Sequence, residues 1–228
     1  MMRQPGPRPA LPKMQPLDAA GLQSAALALG CPLGATQADA LLHYLALLSR
    51  WNRVYNLTAI RDEAQMGTLH LLDSLAVLAP LDRHGAGRAL QVLDVGSGGG
   101  LPGVVIAIAR PAWAVHCVDA VAKKARFIRQ AALELQLQNL RATHARVERL
   151  PPAGADVVIS RAFASLADFT GWTRHHLADG GVWLAMKGRA PDDEIAALPP
   201  DVAVFHVEQL HVPGLDAQRR AVWMRPRD

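Results

Sequence analysis

The run Val92-Leu93-Asp94-Val95-Gly96-Ser97-Gly98-Gly99-Gly100-Leu101-Pro102-Gly103 constrains the fold more than any other stretch of this chain. Its apolar start reads as a buried strand that ends at Asp94. Glycines at 96, 98 and 100 lack the Cβ that would stop the backbone from turning sharply or approaching a ligand closely. A helix following such a turn would point its unpaired N–H groups at that ligand. Strand, turn and helix in this order predict a nucleotide-like cofactor site at the edge of an α/β sheet.

Two cofactor classes use such a turn. Gly98-x-Gly100-x-x-Gly103 fits the dinucleotide fingerprint, and Asp94-x-Gly96-x-Gly98-x-Gly100 fits the turn of S-adenosylmethionine methyltransferases. Asp94 favours the second. A carboxylate two residues before the first glycine would repel a pyrophosphate and attract a sulfonium ligand that carries an ammonium group. The dinucleotide pattern also expects its first glycine directly after the strand, whereas Gly98 lies four residues past Asp94.

With 228 residues, half of them hydrophobic, the chain can bury the core of one α/β domain with an appended helical segment. Cys31 and Cys117 have no metal-ligand spacing around them, so they read as reduced core thiols, and no metal site is expected. No apolar run approaches the roughly 18 residues of a membrane helix. The proline-rich start, 1–16, lacks the apolar segment of a signal peptide and reads as a disordered tail, so a cytoplasmic protein is expected. The net charge of +4 is unevenly spread. Between Val121 and Leu150, Lys123, Lys124, Arg126, Arg129, Arg141, Arg146 and Arg149 face only Glu134 and Glu148, a block of +5 that suggests a polyanionic partner.

A helical front end occupies 17–84. Its first helix spans 17–29 and stops at Gly30. Its second is capped by Thr36 and carries the stripe Leu41, Leu42, Leu45, Leu48 and Trp51, and its third covers 62–78 and ends before Pro80. From 85 to 228 short β-rich runs alternate with helical ones. Strands are expected over 89–94, 114–119, 139–144, 155–160, 181–187, 202–211 and 217–225, and helices over 102–109, 121–137, 165–177 and near 192–197. Continuous apolar strands between helices predict a doubly wound, mostly parallel seven-stranded sheet, its last two strands an antiparallel hairpin. This is the Rossmann-like sheet of class I S-adenosylmethionine methyltransferases. Asp94, Asp119, Ser160-Arg161 and Lys187-Gly188 then share the carboxyl edge, where such sheets bind ligands.

Asp119 ends the second strand, where a carboxylate either accepts from ribose hydroxyls or caps the next helix. Lys123, Lys124 and Arg126 lie in the first turns of a helix, where positive charge opposes the macrodipole. With Lys124 and Arg129 turned outward beside the ligand edge, this is either a phosphate-contact face or an ordinary solvated one. Arg161, just past an apolar strand at that edge, is a candidate positioning residue, as is Lys187; Arg50, Asn56 and Arg146 join the candidate RNA contacts. His70 and Asp73 read as a structural i, i+3 pair. The fourth strand runs into Ser160-Arg161-Ala162-Phe163, without the Asp/Asn-Pro-Pro-aromatic box of exocyclic-amine methylation. No Pro-Cys dipeptide supplies a thiolate for pyrimidine carbon-5 chemistry, and no carboxylate cluster suits a magnesium-dependent hydroxyl methyltransferase. What remains is a nucleophile that is already competent.

Trp51-Asn52-Arg53-Val54-Tyr55-Asn56-Leu57-Thr58-Ala59, His70-Leu71-Leu72-Asp73-Ser74-Leu75, the glycine run, Arg146-Val147-Glu148, Ser160-Arg161-Ala162-Phe163-Ala164-Ser165-Leu166 and Lys187-Gly188 together resemble one family. It is the bacterial ribosomal RNA small-subunit methyltransferase G family, also called glucose-inhibited division protein B, and the resemblance runs from about Leu41 to the C-terminus. It implies transfer of a methyl group from S-adenosylmethionine to N7 of guanine 527 in the 530 loop of 16S rRNA, met as naked RNA or in the 30S subunit. By resemblance Gly96, Leu101, Val147, Glu148 and Arg161 line the cofactor site, and Arg146, Arg161 and Lys187 form its basic surroundings. Arg149 stands where the family often has a second acid. A monomer is expected. A small-molecule methyltransferase and a non-catalytic RNA-binding accessory protein are the competing readings.

Overall fold

The computed structural model describes residues 17–161, 163, 165–188 and 191–227; the proline-rich start lies outside them. Helix α1 (Ala19–Ala28) starts where Asp18 Oδ1 accepts the Gly21 amide at 2.7 Å, and Gly30, at φ +72°, follows its end. Helix α2 (Ala35–Tyr55) is capped by Gly34 and not by Thr36. Gln37 reaches back to the Gly34 amide at 2.8 Å, and its amide nitrogen donates to Ala109 O at 2.9 Å. The buried face of α2 is centred on Leu41, Tyr44, Leu48 and Asn52, so the expected stripe is rotated and includes the polar side chains of Tyr44, Ser49 and Asn52.

The expected third helix is two. Turns α3 (Glu63–Met66) and α4 (Asp73–Leu75) flank a π-helical segment, Gly67–Leu72, and α5 (Leu78–Gly85) then contains Pro80. Proline is tolerated there because the third position of a helix has no intrahelical use for an N–H.

The sheet comprises β1 (Gln91–Val95), β2 (Ala114–Asp119), β3 (Leu140–His144), β4 (Ala155–Ser160), β5 (Leu177–Lys187), β6 (Val202–Leu210) and β7 (Arg219–Pro226). Their order is β3-β2-β1-β4-β5-β7-β6, parallel through β5, with β7 antiparallel to both β5 and β6. The expected fold class therefore stands. Strand β5 begins four residues before the expected start, and its register against β4 shifts between Ala155 and Val157. At the shift Gly181 lies where a Cβ would come 2.7 Å from Ala155 O, so only glycine fits.

Helices α6 (Gly103–Ala109) and α7 (Ala122–Glu134) cover one face; α8 (Leu166–Thr173) covers the other, and α9 (Asp192–Ala196) follows β5. Alternation along each strand sends Val92 to the first face and Leu93 to the second. The first core is continuous from Leu22, Leu41, Leu75 and Leu81 of the helical segment through Ile106 to Val157 and Trp223, so helical segment and sheet share one interior. Both cysteines lie in it, and burial pushes their thiols up, Cys31 to about 11.

Candidate active site

The glycine turn leaves β1 with positive φ at Gly96, Gly98 and Gly100. The Gly96 amide donates to Val118 O at 2.8 Å, and Ser97 Oγ donates to Asp94 O at 2.8 Å, which fastens the turn between β1 and β2. A Cβ on Gly96 would meet nothing within 4 Å, so open space lies beside this residue. At Gly103 it would lie 2.4 Å from Cys117 Sγ and 2.7 Å from Asp94 Oδ2. This glycine exists for close packing, not for a pyrophosphate.

Asp94 is fully buried beneath the turn, and its Oδ2 accepts the Gly103 amide at 2.9 Å. Val104 N donates to Gly100 O and Ile106 N to Pro102 O. These amides of α6 are therefore engaged within the protein, which corrects the expectation that they point at a ligand. Burial raises the Asp94 carboxyl from its ordinary value to about 7, and the Gly103 amide opposes the rise. The carboxyl thus acts first as a helix cap, and the charge assigned to it toward a sulfonium is weaker than the sequence suggested. Its Oδ1 has no hydrogen-bond partner among the described residues.

Asp119 closes β2 at 5% exposure. Its Oδ1 accepts the Val121 amide at 2.8 Å, its Oδ2 accepts the Gly98 amide at 2.9 Å, and Lys124 Nζ stands 3.8 Å from Oδ2. One carboxylate thereby links the glycine turn to the start of α7. Each oxygen keeps a second lone pair for another donor. Lys124 is turned toward Asp119, half-buried, rather than outward as expected. Leu101 belongs to the main core, 2% exposed. Val147 and Glu148 form a short 3-10 turn after β3, where Val147 O accepts from His176 Nε2 at 3.0 Å and Leu150 O from His175 Nε2 at 3.1 Å.

Ser160 Oγ donates to Val95 O at 2.8 Å, which brings the ends of β4 and β1 together and sets the place of Arg161. Arg161 Nη1 donates to Leu69 O at 3.1 Å and to Asp73 Oδ2 at 3.3 Å. Lys187 Nζ donates to Glu194 Oε2 at 2.7 Å and to Phe163 O at 3.4 Å, so this expected positioning cation is tied to α9. Asp73 and His70 do not pair with each other. Asp73 joins Arg161 to Arg219, whose Nε donates to it at 2.7 Å, and His70 Nε2 meets Thr58 Oγ1 at 3.0 Å. Sequence reasoning missed this cluster. Its signal was a carboxylate inside an apolar helical run, which needs a partner when buried.

Of the candidate RNA contacts, Lys123, Arg126 and Arg129 are exposed and have no carboxylate partner among the described residues. Arg129 lies away from the carboxyl edge, beside Gln136 and Arg141 in a groove at the amino end of β3, which corrects its expected place. Arg50 is 3.6 Å from Glu134, and Arg146 is 3.6 Å from Glu148. Asn56 ends α2 in the left-handed conformation, φ 49°, and accepts from Arg61 at 3.2 Å. Trp51 packs, with tilted rings, between Phe127 of α7 (5.5 Å) and the exposed Tyr55 (5.1 Å).

A family model described as rRNA small subunit methyltransferase G matches residues 37–223. The chain belongs to this family. Ribosomal RNA small subunit methyltransferase G of Leptothrix cholodnii is 64% identical over 214 residues, covering 94% of this chain and 98% of that one. The Paracidovorax citrulli protein of the same name is 60% identical over 220 residues, covering 91% and 90%. Among solved structures, a SAM dependent methyltransferase from Aquifex aeolicus aligns with TM-score 0.55 at 14% identity, over 78% of this chain and 97% of that chain. A MtNAS variant in complex with S-adenosylmethionine aligns with TM-score 0.58 at 13% identity, over 92% and 78%. The rRNA small subunit methyltransferase G family thus has, in this member, the sheet of S-adenosylmethionine-dependent methyltransferases.

Proposed function

We propose that this chain transfers the methyl group of S-adenosylmethionine to N7 of guanine 527 in the 530 loop of 16S rRNA. The observation that carries the reading is the carboxyl edge itself: in a member of the rRNA small subunit methyltransferase G family, the open turn at Gly96, Asp119 and Arg161 all stand there. The cofactor fits these residues. Space beside Gly96 admits a ligand at the turn, the spare lone pairs of Asp119 suit ribose hydroxyls, and Val147-Glu148 suits the adenine. When bound, S-adenosylmethionine supplies an electrophilic methyl group.

Guanine N7 presents a neutral lone pair in the ring plane, so the chain's residues have no proton to remove. Their work is to bind, orient and exclude water. Arg161 holds Leu69 O and Asp73 through Nη1, while its Nε and Nη2 have no partner among the described residues. Those N–H groups suit O6 of the guanine or a phosphate, but not N7, which must face the methyl group. Lys123 and Arg126 on α7, with Arg53, Val54 and Tyr55 at the end of α2, suit an RNA strand that needs both phosphate contacts and an aromatic face.

The catalytic unit is 85–228, working with the helical segment 17–84. The most exposed large apolar side chains, Leu27, Val54 and Leu133, lie on three different helices, which favours a monomer; an rRNA substrate favours action in the bacterial cytoplasm. No helix among the described residues is long and apolar enough to cross a membrane. The decisive experiment incubates the protein and S-adenosylmethionine with naked 16S rRNA or 30S subunits and maps the product by mass spectrometry. N7-methylguanine at position 527 is expected. Methylation elsewhere, or of small molecules without RNA, overturns the reading.

A further inference from the structure

The glycine turn leaves two sequence motifs without a purpose, Trp51–Ala59 and His70–Leu75. Their polar groups form a single chain that ends on Arg161. Asn52 Oδ1 accepts the Thr58 amide at 2.8 Å and Asn52 Nδ2 donates to Ile60 O at 2.9 Å, which fixes the loop after α2. Thr58 Oγ1 accepts the Ile60 amide at 3.2 Å, so its hydroxyl hydrogen is available to His70 Nε2, 3.0 Å away. His70 Nδ1 then carries the ring proton and donates to Leu69 O at 3.1 Å. Burial, then the Arg161 charge, lowers His70 from its ordinary value to about 4, which agrees with a neutral ring at physiological pH. Leu69 O, in the π-helical segment, also receives Arg161 Nη1, and Asp73 Oδ2 receives it a second time.

We propose that Asp73 and His70 are positioning residues for Arg161: with Thr58 behind them they hold one end of its guanidinium, leaving its other N–H groups for the substrate. The inference rests on the methyl-transfer reading of this site. A purely structural role is a poor explanation of the cluster. Asp73 is 3% exposed and paired with two arginines, and buried ion pairs of this kind are usually matched or bettered for stability by well-packed apolar side chains. An orienting role does account for it, because a carboxylate beside the Leu69 carbonyl adds a charge-assisted hydrogen bond to the same Nη1 and so strengthens the hold on that end of the guanidinium. The π segment fits the same role, since such segments recur at functional positions.

The test is a double-mutant cycle on the full chain, with 16S rRNA methylation and thermal melting read on every variant. Asp73→Asn is expected to lower kcat about tenfold or more in the wild-type background and to change it little in Arg161→Ala. Arg219→Ala, which leaves the Arg161–Asp73 contact in place, is expected to keep kcat within about threefold. If Asp73→Asn does not fold, Thr58→Val removes one hydroxyl only and is expected to show a smaller loss that also vanishes in Arg161→Ala. Independent, multiplying effects of the Asp73 and Arg161 changes overturn the proposal, as does full kcat in Asp73→Asn. A wild-type chain that leaves 16S rRNA unmethylated removes the methyl-transfer reading and this proposal with it. A wild-type chain that methylates while the cycle is additive removes this proposal alone.

Discussion

At Gly103 an added Cβ would press on the Cys117 sulfur and on Asp94 Oδ2, whereas at Gly96 it would enter open space and strain only a left-handed φ of +70°. Gly103→Ala is therefore expected to cost about 2–3 kcal/mol, as overpacked cores do. Gly96→Ala should cost only about 1–2 kcal/mol, the penalty of a left-handed alanine, yet weaken S-adenosylmethionine binding more. Chemical denaturation and calorimetry on the two variants check this inversion. Asp94 and His70 pull stability in opposite directions with pH. The native Asp94 carboxyl, near 7, binds its proton more readily than the unfolded group, so its contribution grows as pH falls from about 7 toward 4. His70 and His116, near 4 in the native state, resist the protons that the unfolded chain accepts below about 6.5, so their contribution shrinks over the same range. Asp94→Asn removes the compensating group. Its melting temperature should fall more steeply than that of the wild type between pH 7 and pH 5; equal slopes would refute the assignment. The sequence identified Asp94 but not its use, because one-dimensional spacing does not reveal that Gly103 lies against the carboxyl group.

Helices α2 and α7 show what periodicity can and cannot report. Strands β1, β2 and β4 were legible because burial on both faces leaves short apolar runs that nothing else explains. Two polar members of the α2 buried face, Tyr44 and Asn52, were illegible because their partners, Gly99 O and the 58–60 loop, lie outside the helix. Trp51 of α2, packed against Phe127, brings the end of α2 beside α7. Reversing the charges of Lys123 and Arg126 together should weaken 16S rRNA binding and lower the slope of log affinity against log salt by about two. Arg129→Glu, farther down α7, should change that slope little. Filter binding from 50 to 300 mM salt separates the cases, and equal effects at all three positions would remove the edge of α7 as the docking surface.

For the molecule as a whole, the sequence showed the order of elements but not their interdependence. A boundary at 84/85 suggests two separable parts, yet the helical segment lends Leu22, Leu41, Leu75 and Leu81 to the interior that covers the sheet. Arg110 and Asp82 pair across the same boundary. A chain beginning at residue 85 would expose that apolar face. It is expected to be aggregated or molten, with near-UV circular dichroism lost, and a soluble, cooperatively melting fragment would contradict the shared core. The hairpin adds an order in time. Strand β7, the last described strand, does not occupy the sheet's edge but inserts between β5 and β6, and it carries Arg219 to Asp73. Until those residues leave the ribosome, β5 has a bare hydrogen-bonding edge and β6 has no neighbour to join. The Arg219–Asp73 pair is therefore among the late contacts of a nascent chain, and the sheet keeps an open edge until β7 has been synthesised and slots in.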